Sequence, residues 1–337
     1  MPKVAIVILT WNGSQMLHSF LPSVLKYSEG EATVYVADNG SEDDTLQVLA
    51  SQFPSVKVIT LDKNYGFAEG YNRALQQVEA EYVVLLNSDV EVTEHWLTPL
   101  VSFMDAHPEV AACQPKIKSW RNKTYFEYAG AAGGFLDHCG YPFCRGRIFN
   151  NIESDQGQYD TAMKVFWATG ACLFIRLKDY REAGGLDNRF FAHMEEIDLC
   201  WRLNARGREV WCVPESTVYH VGAATLKREN PRKTFLNFRN NLLMLYKNLP
   251  DNELHHVMRR RCFLDYLAGL SFVLKGQFSN AKAVYQARKA YHHLRPDYFI
   301  TRNMNLLANA EKPAKTRWGK SLLWAYYIKA KRKYSEL

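Results

Sequence analysis

Several polar residues stand where apolar runs end, and their types suit one kind of chemistry. Asp89 follows the run YVVLL in LLNSDVEV. A carboxylate there is costly to bury unless it meets a positive partner, which makes it a ligand for a hard divalent cation or a polar stop to a strand. Asp38, in VYVADNGSEDDT, can accept hydrogen bonds from a ribose or a nucleobase N–H, or can form the turn that Asp-Asn-Gly favours. Asn64, Gly66, Gly70 and Asn72, in NYGFAEGYN, open a helix whose N–H groups and amides could face a phosphate, or whose glycines could serve close packing. Glu195, Glu196 and Asp198 crowd one helical turn in FFAHMEEIDLCWR. Their repulsion raises a pKa and equips one of them to carry a proton, unless the cluster is a solvated helix start that complements the dipole. His220, ending STVYH, is a neutral imidazole ligand or a satisfied structural histidine.

The elements that must position these residues follow from hydrophobic period. Continuous apolar runs at 3–10, 32–38, 56–60 and 82–86 alternate with helical patterns at 14–26, 43–52, 67–78 and 94–105, with Ser14 placed to cap the first. Such alternation predicts an α/β fold with a mostly parallel sheet covered by helices on both faces. Loops at the carboxyl ends of its strands gather into one crevice, bringing together residues 10–13, 38–43, 62–66 and 87–89. A strand at 110–117 is followed by an aperiodic stretch, 120–165, suited to an acceptor-side or lid segment that sets specificity. Strands at 167–175 and 209–214 and a helix at 195–205 complete this part. Beyond residue 231 the pattern is helical, at 231–249, 251–276, 279–294 and 315–334, and no segment has the apolar length of a membrane span.

The composition, 47% hydrophobic and 23% charged over 337 residues, is that of a globular protein. Seven scattered cysteines without C-x-x-C read as reduced packing residues. The N-terminus lacks the basic flank and cleavage site of a signal peptide, which predicts a cytoplasmic protein. The net charge of +7 is uneven: 23 basic and 7 acidic residues follow Leu226 inclusive, leaving about −9 on the part before it. Between Lys312 and Ser335 there is no acidic residue, and lysines and arginines surround Trp318, Trp324, Tyr326 and Tyr327. This predicts a basic aromatic helix that lies on an anionic membrane surface or packs on the rest of the chain. Neither a reading motif nor an aromatic platform for nucleic acid accompanies the charge.

The motifs TWNG (10–13), VADNGSEDDT (36–45), NYGFAEGYN (64–72), LLNSDVEV (85–92), ATGACLFIR (168–176), FFAHMEEIDLCWR (190–202), YHVGAAT (219–225) and FRNNLLML (238–245) resemble, in order, those of the family 2 glycosyltransferases, especially the bacterial rhamnosyltransferase-like branch. The resemblance covers about residues 3–250. It implies a GT-A fold, with a nucleotide-sugar half at about 1–118, an acceptor half at about 119–230 and a helical extension at 231–337. It further implies an inverting, metal-dependent hexosyltransferase that uses Mg²⁺ or Mn²⁺ and a dTDP- or UDP-sugar. The acceptor is a saccharide or a lipid-linked saccharide in surface polysaccharide or glycolipid assembly, reached from the cytoplasmic side by a soluble or peripheral enzyme.

Carried over by motif, Thr10, Asn12, Asp38, Asn64, Gly66, Asn72 and Ser88 bind the donor nucleotide, Asp89 and His220 hold the metal, and Glu196 is the catalytic base, with Glu195 and Asp198 as alternatives. Two departures stand out. Asn87-Ser88-Asp89 replaces Asp-x-Asp, so a single carboxylate serves the metal, and the base position is Glu where Asp is usual. The rival readings are an inactive nucleotide-sugar-binding protein and a sugar nucleotidyltransferase. The latter would need basic residues in a glycine-rich first loop, and TWNGSQ has none.

Overall fold

The computed structural model describes residues 3–222 and 230–337. The last part of the YHVGAAT motif, residues 223–225, lies outside the described residues. Strand and helix alternate as β1 (Val4–Thr10), α1 (Ser14–Tyr27), β2 (Ala32–Asn39), α2 (Thr45–Gln52), β3 (Lys57–Leu61), α3 (Gly66–Leu75) and β4 (Tyr82–Asn87). Then come β5 (Val90–Val92), α4 (Leu97–Ala106) and β6 (Val110–Ser119). The aperiodic stretch folds into four short strands, β7 (Gly134–Leu136), β8 (Pro142–Cys144), β9 (Arg147–Ile148) and β10 (Asn151–Ile152), that form a separate antiparallel sheet. After them follow β11 (Met163–Lys164), β12 (Cys172–Arg176), α5 (Leu177–Glu182), α6 (Glu195–Ala205) and β13 (Glu209–His220), and then α7 (Pro231–Asn248), α8 (Asp251–Leu274), α9 (Phe278–Leu294) and α10 (Phe299–Leu307).

The large sheet runs β11-β13-β6-β12-β4-β1-β2-β3, with β5 paired to β13. The strands β4-β1-β2-β3 are mutually parallel, β13 is parallel to β6, and β12 runs against both of its neighbours. Both faces are covered, as the unbroken Val/Ile/Leu strands require. On β1, Val4, Ile6 and Ile8 pack with Leu17, Leu21, Leu97 and Met104 of α1 and α4, whereas Ala5 and Val7 face the core that holds Tyr71 of α3 and Leu199 of α6.

Four local expectations need correction. Ser14 does not cap α1: Gly13 holds that position without a side-chain bond, and the Ser14 N–H donates instead to Asp43 Oδ2 at 3.3 Å. The strand expected at 167–175 begins only at Cys172, because residues 167–171 turn so that the Trp167 backbone N–H and carbonyl can bond Gly134. The strand expected to stop at 214 runs through a bulge to His220. The basic helix expected at 315–334 does not form. There the Trp318 N–H bonds the Leu136 carbonyl at 2.7 Å, the Leu322 N–H bonds Asp137 Oδ2 at 2.9 Å, and Leu322 is fully buried. Tyr334 packs on Phe135 and Phe143, and the helical turns that form are short, a π segment at Trp324–Ile328 and a 3-10 turn at Tyr334–Glu336. Tertiary bonding to the small sheet outweighs helix propensity in a segment that also carries Pro313 and Gly319. Helix α10, which the sequence pattern did not indicate, forms just before it.

Candidate active site

The parallel register aligns Thr10 with Asp38 and Leu9 with Asn87, so the ends of β1, β2 and β4 share one edge. His220 joins them because β13 pairs antiparallel with β5, placing His220 opposite Val90, and the Val221 N–H bonds the Asp89 carbonyl at 3.1 Å. The start of β12 reaches the same edge, where the Asn87 N–H bonds Ala171 O at 3.0 Å. Topology thus assembles the expected residues from segments more than 200 positions apart.

On the nucleotide side, Asp38 is buried and its Oδ2 accepts from the Ser41 N–H at 3.3 Å, while Oδ1 is sealed from solvent without a partner. Thr10 Oγ1 is likewise buried and unpartnered. The absence of a side chain at Gly13 is essential, since a Cβ would lie 2.0 Å from that hydroxyl oxygen. Asn12, at φ 50°, accepts from the Glu42 N–H at 2.8 Å and closes the turn between these two strand ends. Ser88 lies half-buried between Asn87 and Asp89.

The NYGFAEGYN turn is bonded to the loop ahead of α6. Asn64 Oδ1 accepts from the Gly66 N–H at 2.8 Å, and the Phe67 N–H goes to Phe191 O at 2.8 Å. Gly66 adopts φ +77°, with the Phe191 ring filling the space a side chain would need. Asn72 is bonded throughout: Nδ2 donates to Leu186 O at 2.8 Å, and Oδ1 accepts from Tyr180 and Leu186. These bonds lock α3 to the loop ahead of α6.

At the metal side, His220 Nε2 is 3.1 Å from Asp89 Oδ1 and its Nδ1 is 3.3 Å from Glu127 Oε2, all three residues being buried. Burial opposes a charged imidazole, but bonding and attraction to the two carboxylates outweigh it and raise His220 to about 10. Asp89 is correspondingly held below its ordinary value despite its burial, by His220. The imidazolium therefore sits where a cation is favoured. Asp89 Oδ1 and His220 Nε2 lie close enough to ligate one divalent ion, with Glu127 as the outer carboxylate orienting the ring. Among the described residues no three His, Cys, Asp or Glu side chains form a complete cage, so such an ion would need oxygens from elsewhere. Nothing in the spacing of FEYAG singled out Glu127.

The acidic turn divides its carboxylates between two tasks. Asp198 is fully buried and bonded to Arg202 Nε at 3.0 Å, Lys247 Nζ at 2.9 Å and Asn248 Nδ2 at 2.8 Å. Burial opposes its charge, but Lys247 and Arg202 outweigh it and hold its pKa low. Both of its oxygens are thereby engaged, and it ties α6 to α7. Glu195 and Glu196 each keep one sealed, unpartnered oxygen. Burial pushes both upward, Glu195 the further because the charge of Glu196 adds to it. Glu196 is the more accessible of the two and lies beside Gly170. The residues ahead of them, Phe191, His193 and Met194, all have positive φ, an arrangement that costs on the order of 1–3 kcal/mol per residue and survives only where surroundings impose it. Asn240 imposes it, donating to the carbonyls of Phe190, Ala192 and His193 at 3.0, 2.9 and 2.8 Å. Burial and then Lys233 push His193 down to about 4, and its Nε2 is unpartnered.

A close histidine–carboxylate pair, raised carboxylates and unpartnered acceptors gather at the carboxyl edge of the sheet, and comparison with known proteins gives the class. The Glycosyl transferase family 2 profile matches residues 5–178, just over half of the chain. The protein belongs to that family. It is 25% identical over 238 residues to the N-acetylglucosaminyl-diphospho-decaprenol L-rhamnosyltransferase of Mycobacterium tuberculosis, a match covering 66% of this chain and 78% of that one. It is 23% identical over 163 residues to the rhamnosyltransferase WbbL of Escherichia coli K12, covering 46% and 61%. Among solved structures, GalNAc-T7 with UDP, GalNAc and Mn²⁺ aligns with a TM-score of 0.58 at 16% identity over 73% of this chain and 48% of that one. Staphylococcus aureus TarS 1–349 with UDP-GlcNAc aligns at 0.53 and 18% identity, over 91% and 89%. The fold is GT-A, and the protein is a rhamnosyltransferase-like glycosyltransferase.

Proposed function

We propose that this enzyme moves a sugar, with inversion, from a dTDP- or UDP-sugar to a hydroxyl of a lipid-linked saccharide during surface polysaccharide assembly at the cytoplasmic face of the membrane. The observation that carries the reading is the edge itself: Asp89 against His220 on one strand pair, and the raised Glu196 beside Gly170 across β12. The rhamnosyltransferase relatives favour a deoxysugar donor and a prenyl-diphosphate-linked acceptor. The nucleotide-binding half is 1–118, the acceptor half 119–230 and the extension 231–337.

In this reading Thr10, Asn12 and Asp38 take the nucleoside, and Ser88 lies next to the diphosphate. Asp89 and His220 hold Mg²⁺ or Mn²⁺, which when bound supplies Lewis-acid stabilisation of the leaving diphosphate. If such a cation were bound, Asp89 Oδ1 and the neutral His220 Nε2 would hold it, with the Glu127 carboxylate facing His220 Nδ1. Glu196 accepts the proton of the acceptor hydroxyl as the new glycosidic bond forms and the diphosphate leaves, so no covalent sugar–enzyme intermediate is needed.

The test is release of free nucleoside diphosphate from a panel of UDP-, dTDP- and GDP-sugars with Mg²⁺, Mn²⁺ or EDTA, comparing wild type with Asp89→Ala. Metal-dependent release from one donor, lost in the variant, supports the reading and names the donor. Donor binding with no turnover on any lipid-linked acceptor supports an inactive binding protein. No binding to any donor overturns both.

A further inference from the structure

The far half of α8 is built inside out. Its inward positions are ionic: Arg261 and Asp265 pair at 3.1 Å, Asp265 also binds Arg288 of α9 at 2.7 Å, and Arg261 bonds Asn241 of α7. Its outward positions are apolar: Phe263, Tyr266, Leu267, Leu270 and Leu274, spaced i, i+3, i+4, i+7 and i+11, are 45–80% exposed. Beyond the turn at 275–277, α9 continues the theme. Phe278, Lys282, Tyr285 and Lys289, at i, i+4, i+7 and i+11, alternate exposed aromatic rings with exposed lysines. Between Asp265 and Asp297 the sequence has no acidic residue and five basic ones, of which only Arg288 is buried.

Such a surface is too large to be scattered exposed residues, and its chemistry identifies the partner. Among the described residues no helix is long and apolar enough to cross a membrane. A protein interface core is depleted of lysine, whereas here lysines interleave with the aromatic positions. Apolar side chains bordered by lysines with no anions match the boundary between lipid headgroups and acyl chains. The hairpin also lies beside the catalytic mouth. Thr234 Oγ1 bonds Asn280 Oδ1 at 2.9 Å, joining the start of α9 to that of α7, and Arg232 of α7 stacks on Phe191 at 5.1 Å, directly ahead of the acidic turn.

We propose that the α8–α9 hairpin docks this protein on an anionic bilayer surface, with Leu270, Leu274 and Phe278 entering the headgroup boundary and Lys275, Lys282 and Lys289 meeting lipid phosphates. This gives a lipid-linked acceptor a fixed approach to Glu196. It deepens the peripheral placement proposed above and is independent of which nucleotide is bound.

The test is co-sedimentation of the full chain with vesicles of phosphatidylglycerol and phosphatidylcholine, or of phosphatidylcholine alone, with light scattering of the protein in solution. Wild type pellets with the anionic vesicles and is released by salt. Each lysine contributes roughly fivefold, so Lys275→Gln, Lys282→Gln and Lys289→Gln together lose about a hundredfold in partitioning. Leu270→Asp with Leu274→Asp lowers it by an order of magnitude or more. Both variants keep the wild-type melting temperature and donor hydrolysis without acceptor, because the altered side chains are exposed and none of them belongs to the site at the sheet edge; hydrolysis absent from wild type as well would count against the catalytic reading alone. Wild type that stays in the supernatant overturns the proposal, as does a wild-type dimer that the leucine variant dissociates, which would make the hairpin a contact between two copies.

Discussion

The sheet edge and the helical extension treat buried polarity in opposite ways. At the edge, Thr10 Oγ1, Asp38 Oδ1, His193 Nε2, Glu195 Oε2 and Glu196 Oε2 are sealed from solvent without a hydrogen-bond partner. Among the described residues from 230 onward no buried side-chain polar atom is left so, even though Lys247, Arg261, Asp265 and Arg288 are all buried ions. An unsatisfied buried group costs about 1–3 kcal/mol. The edge carries that cost several times over, as a site does when its missing partners are ligands, and the extension avoids it while leaving apolar side chains in solvent.

That contrast can be tested most severely at Glu196. Glu196→Gln should lower kcat by about 10²–10⁴-fold while donor affinity stays within a few fold, because only proton removal is lost; equal loss of donor affinity would remove Glu196 from the role of base. In the extension, Lys247→Met should destabilise the protein by about 3–5 kcal/mol in urea unfolding, since it strands the fully buried Asp198 with only Arg202 and Asn248. Adding Asp198→Asn should recover part of that loss. A Lys247→Met protein as stable as wild type would break the distinction, for the ion pairs would then not be what satisfies this region.

Smaller effects sharpen the edge. Glu127→Gln should weaken Mn²⁺ binding by about 10–100-fold in a direct titration with donor present, consistent with a carboxylate that orients a ligating imidazole. No change in that affinity would make Glu127 a packing residue. The pH dependence of kcat has a definite sign. Glu196 works ionised, and burial raises its pKa above the ordinary glutamate value. Activity should therefore fall on the acid side at a pH above that value, and the acid limb should disappear in Glu196→Gln. A limb at or below the ordinary glutamate value would mean that burial does not govern this group.

How legible all this was in the sequence depended on whether local pattern decided the outcome. The apolar runs of β1, β2 and β4 and the helices between them were readable because a fully buried parallel strand has a continuous apolar signature. Asp38, Asp89 and His220 stand out in the sequence because each lies at or just past the end of an apolar run, and Glu196 because it falls in a cluster of three carboxylates. The ties of the Asn64, Gly66 and Asn72 turn to Phe191 and Leu186 were not legible, because those partners lie more than 110 residues away in the chain. Asp198 could not be separated from Glu196 by sequence, because the partner that decides it, Lys247, lies 49 residues away on α7.

The sequence by itself determined the class: an alternating α/β chain with carboxylates and a histidine at strand ends and a basic extension, since residue order and hydrophobic period are local properties. Only the tertiary structure decided which carboxylate is free, that Glu127 stands behind His220, and that residues 315–334 lie along the small sheet while the α8–α9 hairpin turns its apolar face outward. These are outcomes of long-range pairing, where burial and the nearest opposite charge are set by segments far apart in the chain, and no local pattern encodes them.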